Sequence, residues 1–267
     1  MSYITMETRT ATYKEAIVRD FRPVRSRSAG GDVMHQIIDR IKSGELREGD
    51  VLPGERALAA QMDVSRPTVS SAISKLVEAG ILRSRPGRHG NPEVISIWIP
   101  EGLENLPAAD PLQADEIFRI LEARKTLEPR VAQLAAVRAT DEHYQLMQHS
   151  IDLLRAHKDH LSRAAQAELL FHRTIWRAAG NPSLEAMMKG LEKELAPVHD
   201  MMLRTPEDYE CGVELHEATL AALKRGDPVE IEQEMYRHLG HFEGIVADVL
   251  QRTPHRQLPA FLTAGVP

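Results

Sequence analysis

The chain has 267 residues, 42% of them hydrophobic and 27% charged, with a formal net charge of −6. That length predicts two domains, because single cores seldom grow much beyond about 250 residues. No run reaches the ~18–20 apolar residues of a membrane span. The first twenty residues hold no apolar stretch of the secretory type, and the single cysteine, Cys211, excludes an internal disulfide framework and suits a reducing, cytoplasmic compartment.

Charge is unevenly spread. Residues 1–100 carry 15 Lys and Arg against 12 Asp and Glu, whereas the other 167 carry 18 against 27. Two of the twelve histidines precede residue 100 and ten follow it. A mildly basic front and an acidic, histidine-rich back point to different partners.

In chain order, residues 1–30 show no period and end in the basic, small-residue stretch RPVRSRSAGG, which reads as a leader. A helix begins at Asp32, with Val33, Ile37, Ile38 and Ile41 at three- and four-residue steps and Gly44 as its stop. GERALAAQM is a second, short helix, DVS a tight turn, and RPTVSSAISKLVEAG a third helix between an N-cap at Ser65 and Gly80. ILRSR and PEVISIWI read as two strands separated by the turn PGRHGN, a hairpin.

PEGLENLPAADP, rich in proline and acids, predicts a linker over 100–112. Beyond it only helices are expected, over 113–139, 141–158, 160–179, 183–203 with a break at Pro197, 206–225 and 228–251. The last residues, 253–267, read as a tail. The expected architecture is mainly α: a helical head over 31–99 with a small β-hairpin wing, and an all-α antiparallel bundle over 113–252.

Two short helices joined by a three-residue turn form the unit that places its second helix in the DNA major groove. Arg56 opens the first and Arg66 the second, while Arg83, Arg85, Arg88 and His89 crowd the hairpin. Helix N-termini and arginines suit phosphates, and arginine also pairs with guanine edges. A generic helix pair with solvated arginines fits the charge bias equally well.

The stretch LPGERALAAQMDVSRPTVSSAISKLVEAGILRSRPGRHG resembles the winged helix-turn-helix of the GntR family of bacterial transcription regulators. Leu52-Pro53, Glu55-Arg56, Val64-Ser65-Arg66, Thr68-Val69, Leu76 and Gly80 stand at the family spacing. The resemblance implies DNA contacts at Arg56, Ser65, Arg66, Thr68, Ser70, Arg88, His89 and Gly90. Ser70 stands where the family commonly has an arginine, so affinity or operator choice should differ; a serine still bonds phosphate.

In the back half, Glu168 and His172 are one helical turn apart and share a face. Taken singly they make an ordinary helix pair. His216 lies ten residues before Gly226, and His238 ten residues after Pro228. In an antiparallel hairpin both therefore sit ~15 Å from the turn, at one level. Three imidazoles and a carboxylate from facing helices would hold a divalent metal, zinc first, with nickel, manganese or iron as alternatives. His241, three residues past His238, reads as a supporting or surface position.

RKTLEPRVAQLAA, ELLFHRTIWRAAGNPSL and LHEATLAALKRGDPVEIEQEMYRHL resemble the FCD effector domain of the FadR subfamily. The resemblance puts the metal ligands at Glu168, His172, His216 and His238, with Glu168 in place of the usual aspartate. It implies a small organic acid effector whose carboxylate completes the metal's coordination. Arg124 is the candidate for the acid's second end, against a structural ion pair to a glutamate. Asn181 is a candidate hydrogen-bonder, against a turn residue between Gly180 and Pro182. Met187, Met188, Met201 and Met202 would line the pocket or fill the core.

Together these features predict a homodimeric regulator rather than an enzyme, acting as a repressor on a pseudo-palindromic double-stranded operator and released by the acid. Two alternatives stand beside it: a metal-dependent hydrolase or lyase fused to a DNA-binding domain, and a regulator whose histidines surround an effector without metal.

Overall fold

Hydrophobic spacing determines the first helix, α1 (Ala29–Lys42), which buries Val33, Ile37, Ile38 and Ile41 along one stripe. The chain is described here by a computed structural model over residues 29–84, 91–100, 103, 114–195, 198 and 206–251. The expected leader and tail, the wing tip and most of the expected linker lie outside those residues.

The short α2 (Glu55–Gln61) is followed by α3 (Arg66–Glu78), on which Val69, Ala72, Ile73 and Leu76 face the core. Asp63 sits in the turn between them at φ +50, a left-handed conformation that aspartate tolerates better than most side chains. Ser65 caps α3, its hydroxyl accepting from the Thr68 N–H at 3.3 Å, and Pro67 fits the first turn, where no N–H partner exists. Strands β1 (Leu82–Ser84) and β2 (Pro92–Val94) pair antiparallel, Leu82 against Val94 and Arg83 against Glu93. The three helices and the hairpin enclose one core, in which Ile37, Ile38, Leu76, Ile81 and Leu82 are wholly buried.

PEVISIWI, expected as a strand throughout, is one only as far as Val94. The Ser96 hydroxyl accepts from the Trp98 N–H at 3.0 Å and turns the chain, and the Ile99 backbone is taken by a side chain of the bundle.

The second body consists of α4 (Ala114–Arg138), α5 (Asp141–Ala156), α6 (Leu161–Ala178), α7 (Pro182–Leu195), α8 (Pro206–Arg225) and α9 (Pro228–Leu250). Helix α6 is central, flanked by α4, α5 and α7, and α9 lies along α4 and α8. Phe171, Ile175 and Trp176 of α6 are among the largest wholly buried side chains. The α8–α9 hairpin turns at Gly226, and Asp227 caps α9 by accepting from the Val229 and Glu230 N–H groups at 2.8 and 3.3 Å. The continuation of α7 expected as far as 203 falls largely outside the described residues. Among the described residues no helix is long and apolar enough to cross a membrane. The fold is mainly α: a helical head with a two-stranded wing, and an all-helical antiparallel bundle.

Candidate functional site

Helix α6 presents Glu168 and His172 one turn apart, α8 presents His216, and α9 presents His238. All four are buried, none more than 6% exposed. One ligand-capable atom from each lies within 4.8 Å of the others. Ring centroids are 4.4 Å apart for His216 and His238, 4.9 Å for His172 and His238, and 5.7 Å for His172 and His216. Phe171 sets its edge against His216 at 4.3 Å and closes an apolar side.

The surroundings orient these rings. Glu128 of α4 is fully buried, with Oε1 2.6 Å from His172 Nδ1 and 2.8 Å from Trp176 Nε1, and with Oε2 2.7 Å from Arg124 Nε. Burial by itself would raise the Glu128 carboxyl; Arg124 and His172 outweigh it and hold the group down at about 2. A permanent carboxylate accepting Nδ1–H leaves His172 Nε2 as the free lone pair, the tautomer a metal ligand needs. His238 Nδ1 stands 3.5 Å from the Thr219 hydroxyl.

His216 is the anomaly. Both of its ring nitrogens are buried without a hydrogen-bond partner. The Gly212 backbone, one turn back, is near enough to pull the ring value up in the manner of a hydrogen bond, but no bond of ordinary geometry joins it to either nitrogen. Orphaned buried polar atoms of this kind cost on the order of 1–3 kcal/mol each.

Burial drives His216 and His238 well below the ordinary histidine value, and the neighbouring rings lower each of them further. They are therefore neutral, the form that donates to a metal. Burial also raises Glu168 to about 7, with Arg124 working against it. A cation at the centre would satisfy one of the two His216 nitrogens and favour the Glu168 carboxylate. Three nitrogens and one carboxylate oxygen fit zinc and related divalent ions.

Arg124 pairs with Glu128 through Nε, and its charge also bears on Glu168, His172, His216 and His238. Asn181 Oδ1 accepts from the Ser183 and Leu184 N–H groups and caps α7. His241 lies outside the cluster, with Nδ1 3.7 Å from Cys211 Sγ. Met188 is core and Met187 is 51% exposed, while Met201 and Met202 lie outside the described residues.

Glu128 lies within the stretch RKTLEPRVAQLAA, yet the sequence alone assigned it no role at the site. The signal was its spacing: Leu121, Arg124, Glu128, Val131 and Ala135 recur at core positions of α4, where a carboxylate needs partners.

On the head, Arg56, Ser65 and Arg66 are exposed at the start of α2 and α3, and Thr68 and Ser70 are half-buried. Arg66 Nε rests 3.1 Å from Glu55 Oε2, an exposed pair that contributes at most about 1 kcal/mol and is readily exchanged for phosphate. Arg83, one of the cations that crowd the hairpin, meets Glu93 across the two strands at 2.9 Å. Arg85, Arg88, His89 and Gly90 lie outside the described residues.

Both halves of the chain match known proteins. Residues 30–89 match the domain described as "Bacterial regulatory proteins, gntR family", and residues 119–241 match the FCD domain. The chain is 30% identical over 222 residues to "Uncharacterized HTH-type transcriptional regulator YcbG" of Bacillus subtilis, spanning 81% of this chain and 89% of that protein. It is 32% identical over 219 residues to "Putative L-lactate dehydrogenase operon regulatory protein" of Escherichia coli, spanning 76% and 82%. Among solved structures, E. coli McbR/YncC superposes with a TM-score of 0.52 over 84% of this chain and 100% of that one, at 19% identity, a likeness of fold alone. These domains and relatives are those of transcriptional regulators and not of enzymes. The chain belongs to the GntR family of DNA-binding transcriptional regulators, in the FadR-like group that carries an FCD effector domain.

Proposed function

We propose that this regulator is a cytoplasmic, homodimeric repressor whose hold on a pseudo-palindromic operator is controlled by a small organic acid bound at a metal site. The head spans 31–99, the linker 100–112 and the effector domain 113–252. Glu168, His172, His216 and His238 hold a divalent ion, zinc for preference, which when bound supplies a Lewis-acidic anchor for a carboxylate. The observation that carries this reading is His216, buried with neither ring nitrogen paired, inside a four-residue donor set.

The chain's own residues do the rest. Glu128 fixes the ring of His172, Thr219 stands beside that of His238, and Arg124, steadied through Nε, supplies a cation for the far end of the acid. Asn181 is assigned no part, since its Oδ1 is committed to capping α7. On the head, Arg56, Arg66 and the wing contact DNA, with Ser65, Thr68 and Ser70 at or beside phosphates. Acid binding changes the placement of the paired heads so that they no longer match the half-site spacing.

One relative's name refers to an L-lactate dehydrogenase operon, which makes short hydroxy acids the first probes. A thermal-shift screen of the full chain against small mono- and dicarboxylates, before and after chelation, tests the proposal. A ligand that binds only the folded chain raises the melting temperature by mass action. The expected result is a shift that disappears on chelation; the same shift in the chelated chain would remove the metal from the effector site.

A further inference from the structure

Helix α6 has two working faces. At 3.6 residues per turn, Gln166, Leu170, Arg173 and Arg177 fall within an arc of roughly 60°, while Glu168 and His172 lie on roughly the opposite side. The second face belongs to the metal cluster. The first faces the head.

Gln166 makes a reciprocal pair with the Ile99 backbone: the Ile99 N–H donates to Oε1 at 2.9 Å, and Nε2 donates to the Ile99 carbonyl at 3.0 Å. A side-chain amide here does what a neighbouring strand would do, and it does so at the point where the chain leaves the head. Arg177 Nη1 donates to the Ser43 carbonyl at 2.6 Å, at the end of α1. Arg173, buried and bound to Glu192 of α7 through two hydrogen bonds of 2.8 and 2.7 Å, also stands 3.5 Å from Asp39 of α1.

Leu170 completes the stripe. A Cβ built on Gly44, which has φ +70, would lie 3.2 Å from Leu170 Cδ1 and 2.7 Å from Leu146 Cδ2, so the turn after α1 is seated closely on the bundle. Four residues on successive turns of one helix thus touch α1, its terminal turn or the exit segment of the head, and two of the proposed metal ligands stand on the same helix.

Resting on the metal-site reading above, we propose that α6 is the coupling element of this protein, with Gln166 and Arg177 as the residues that transmit the state of the Glu168–His172 face to the DNA-binding head. A helix is stiff along its axis, so a shift or rotation imposed by ordering Glu168 and His172 moves Gln166 and Arg177 with it. The anchored points then carry the head: Ile99 at its exit and Ser43 at the end of α1. Leu170 and Gly44 keep the two bodies in contact, and Arg173 ties the stripe to α7. The metal cluster and the operator are thereby linked without any residue that touches both.

Linkage makes this measurable with zinc ion alone. Duplexes are selected from a random-sequence pool by the zinc-loaded full chain, and their affinity is then measured for zinc-loaded and zinc-free protein. The ratio is the coupling factor, and by reciprocity the same duplex changes zinc affinity by that factor. In the wild-type chain zinc should change DNA affinity by about fivefold or more. In the paired variant Gln166→Ala/Arg177→Ala the factor should fall to within about twofold of one, with zinc stoichiometry and helical content unchanged.

The milder Gln166→Glu keeps the acceptor for the Ile99 N–H, loses the donor to the carbonyl, and should give an intermediate factor. It stands in should the paired variant not fold, and an undiminished factor in Gln166→Glu would then overturn the proposal. A wild-type factor retained in the folded paired variant would overturn it too, as would wild-type protein that binds zinc with no effect on DNA affinity, an outcome that leaves the metal site standing. Wild-type protein that binds no zinc would remove the metal-site reading itself, and the coupling with it.

Discussion

Glu128 and His172 meet across the α4–α6 contact with Oε1 2.6 Å from Nδ1, and both side chains are buried. The same carboxylate receives Trp176 and Arg124, so one group sets the tautomer of a proposed ligand and neutralises a buried guanidinium. Glu128→Gln removes the charge and turns one acceptor into a donor facing Arg124 or His172. Metal affinity should fall by about 10–100-fold, as for other groups that orient a ligating histidine. Competition against a chromophoric chelator reads this directly, and unchanged affinity would show that His172 needs no such support.

The head carries a prediction that the bundle does not share. Arg66 opens α3 and gives up only an exposed pair with Glu55 to reach DNA. Arg66→Ala should abolish specific operator binding in a gel shift while the oligomeric state stays the same. Ser70→Arg restores a cation to the same helix. It should tighten binding and steepen the salt dependence by about one unit of slope if the new contact is to phosphate. Retained specific binding by Arg66→Ala would displace α3 as the reading helix.

Acid sensitivity follows from opposed groups in the metal-free chain. Burial lowers His216 and His238 well below 6.5, and lowers His172 against the pull of Glu128. As pH falls through 6.5 the unfolded chain takes up protons that the folded rings refuse, so stability is lost. Glu168 acts the other way: raised from 4.5 to about 7, it binds a proton in the folded state first, and gains stability as pH falls across that window. Three imidazoles outnumber one carboxyl, so the melting temperature of chelated protein should drop between pH 7 and 5.5. A rise over that range would mean that Glu168 dominates the cluster. Protons also compete with metal for the same nitrogens, so metal affinity should fall in the same direction.

Much of this was legible from residue spacing. The bundle helices reveal themselves because proline, glycine and aspartate punctuate them, as Gly226, Asp227 and Pro228 do between α8 and α9. That turn also brings His216 level with His238, which counting residues from the joint anticipates. Arg124 was weighed as an ion pair to a glutamate as well as an effector contact, and Glu128 is that glutamate.

Long-range packing was not legible. Ile95 to Ile99 alternate like a strand, yet the partner of Ile99 is Gln166, 67 residues away, and nothing local announces it. The Arg83–Glu93 pair is not announced either, because Glu93 lies beyond the turn and only the register of the hairpin brings them together. Glu128 looked like any helical glutamate until its position on the buried face of α4 was known.

The central claim is that Glu168, His172, His216 and His238 form one metal site. Its most direct measurement is the metal content of full-length protein purified without added metal, beside the folded variant His216→Ala. One equivalent of a divalent ion per wild-type chain, with loss of most of it in the variant, is the predicted result. Folded wild-type protein with far less than one equivalent, taking up none when zinc is supplied, would contradict it.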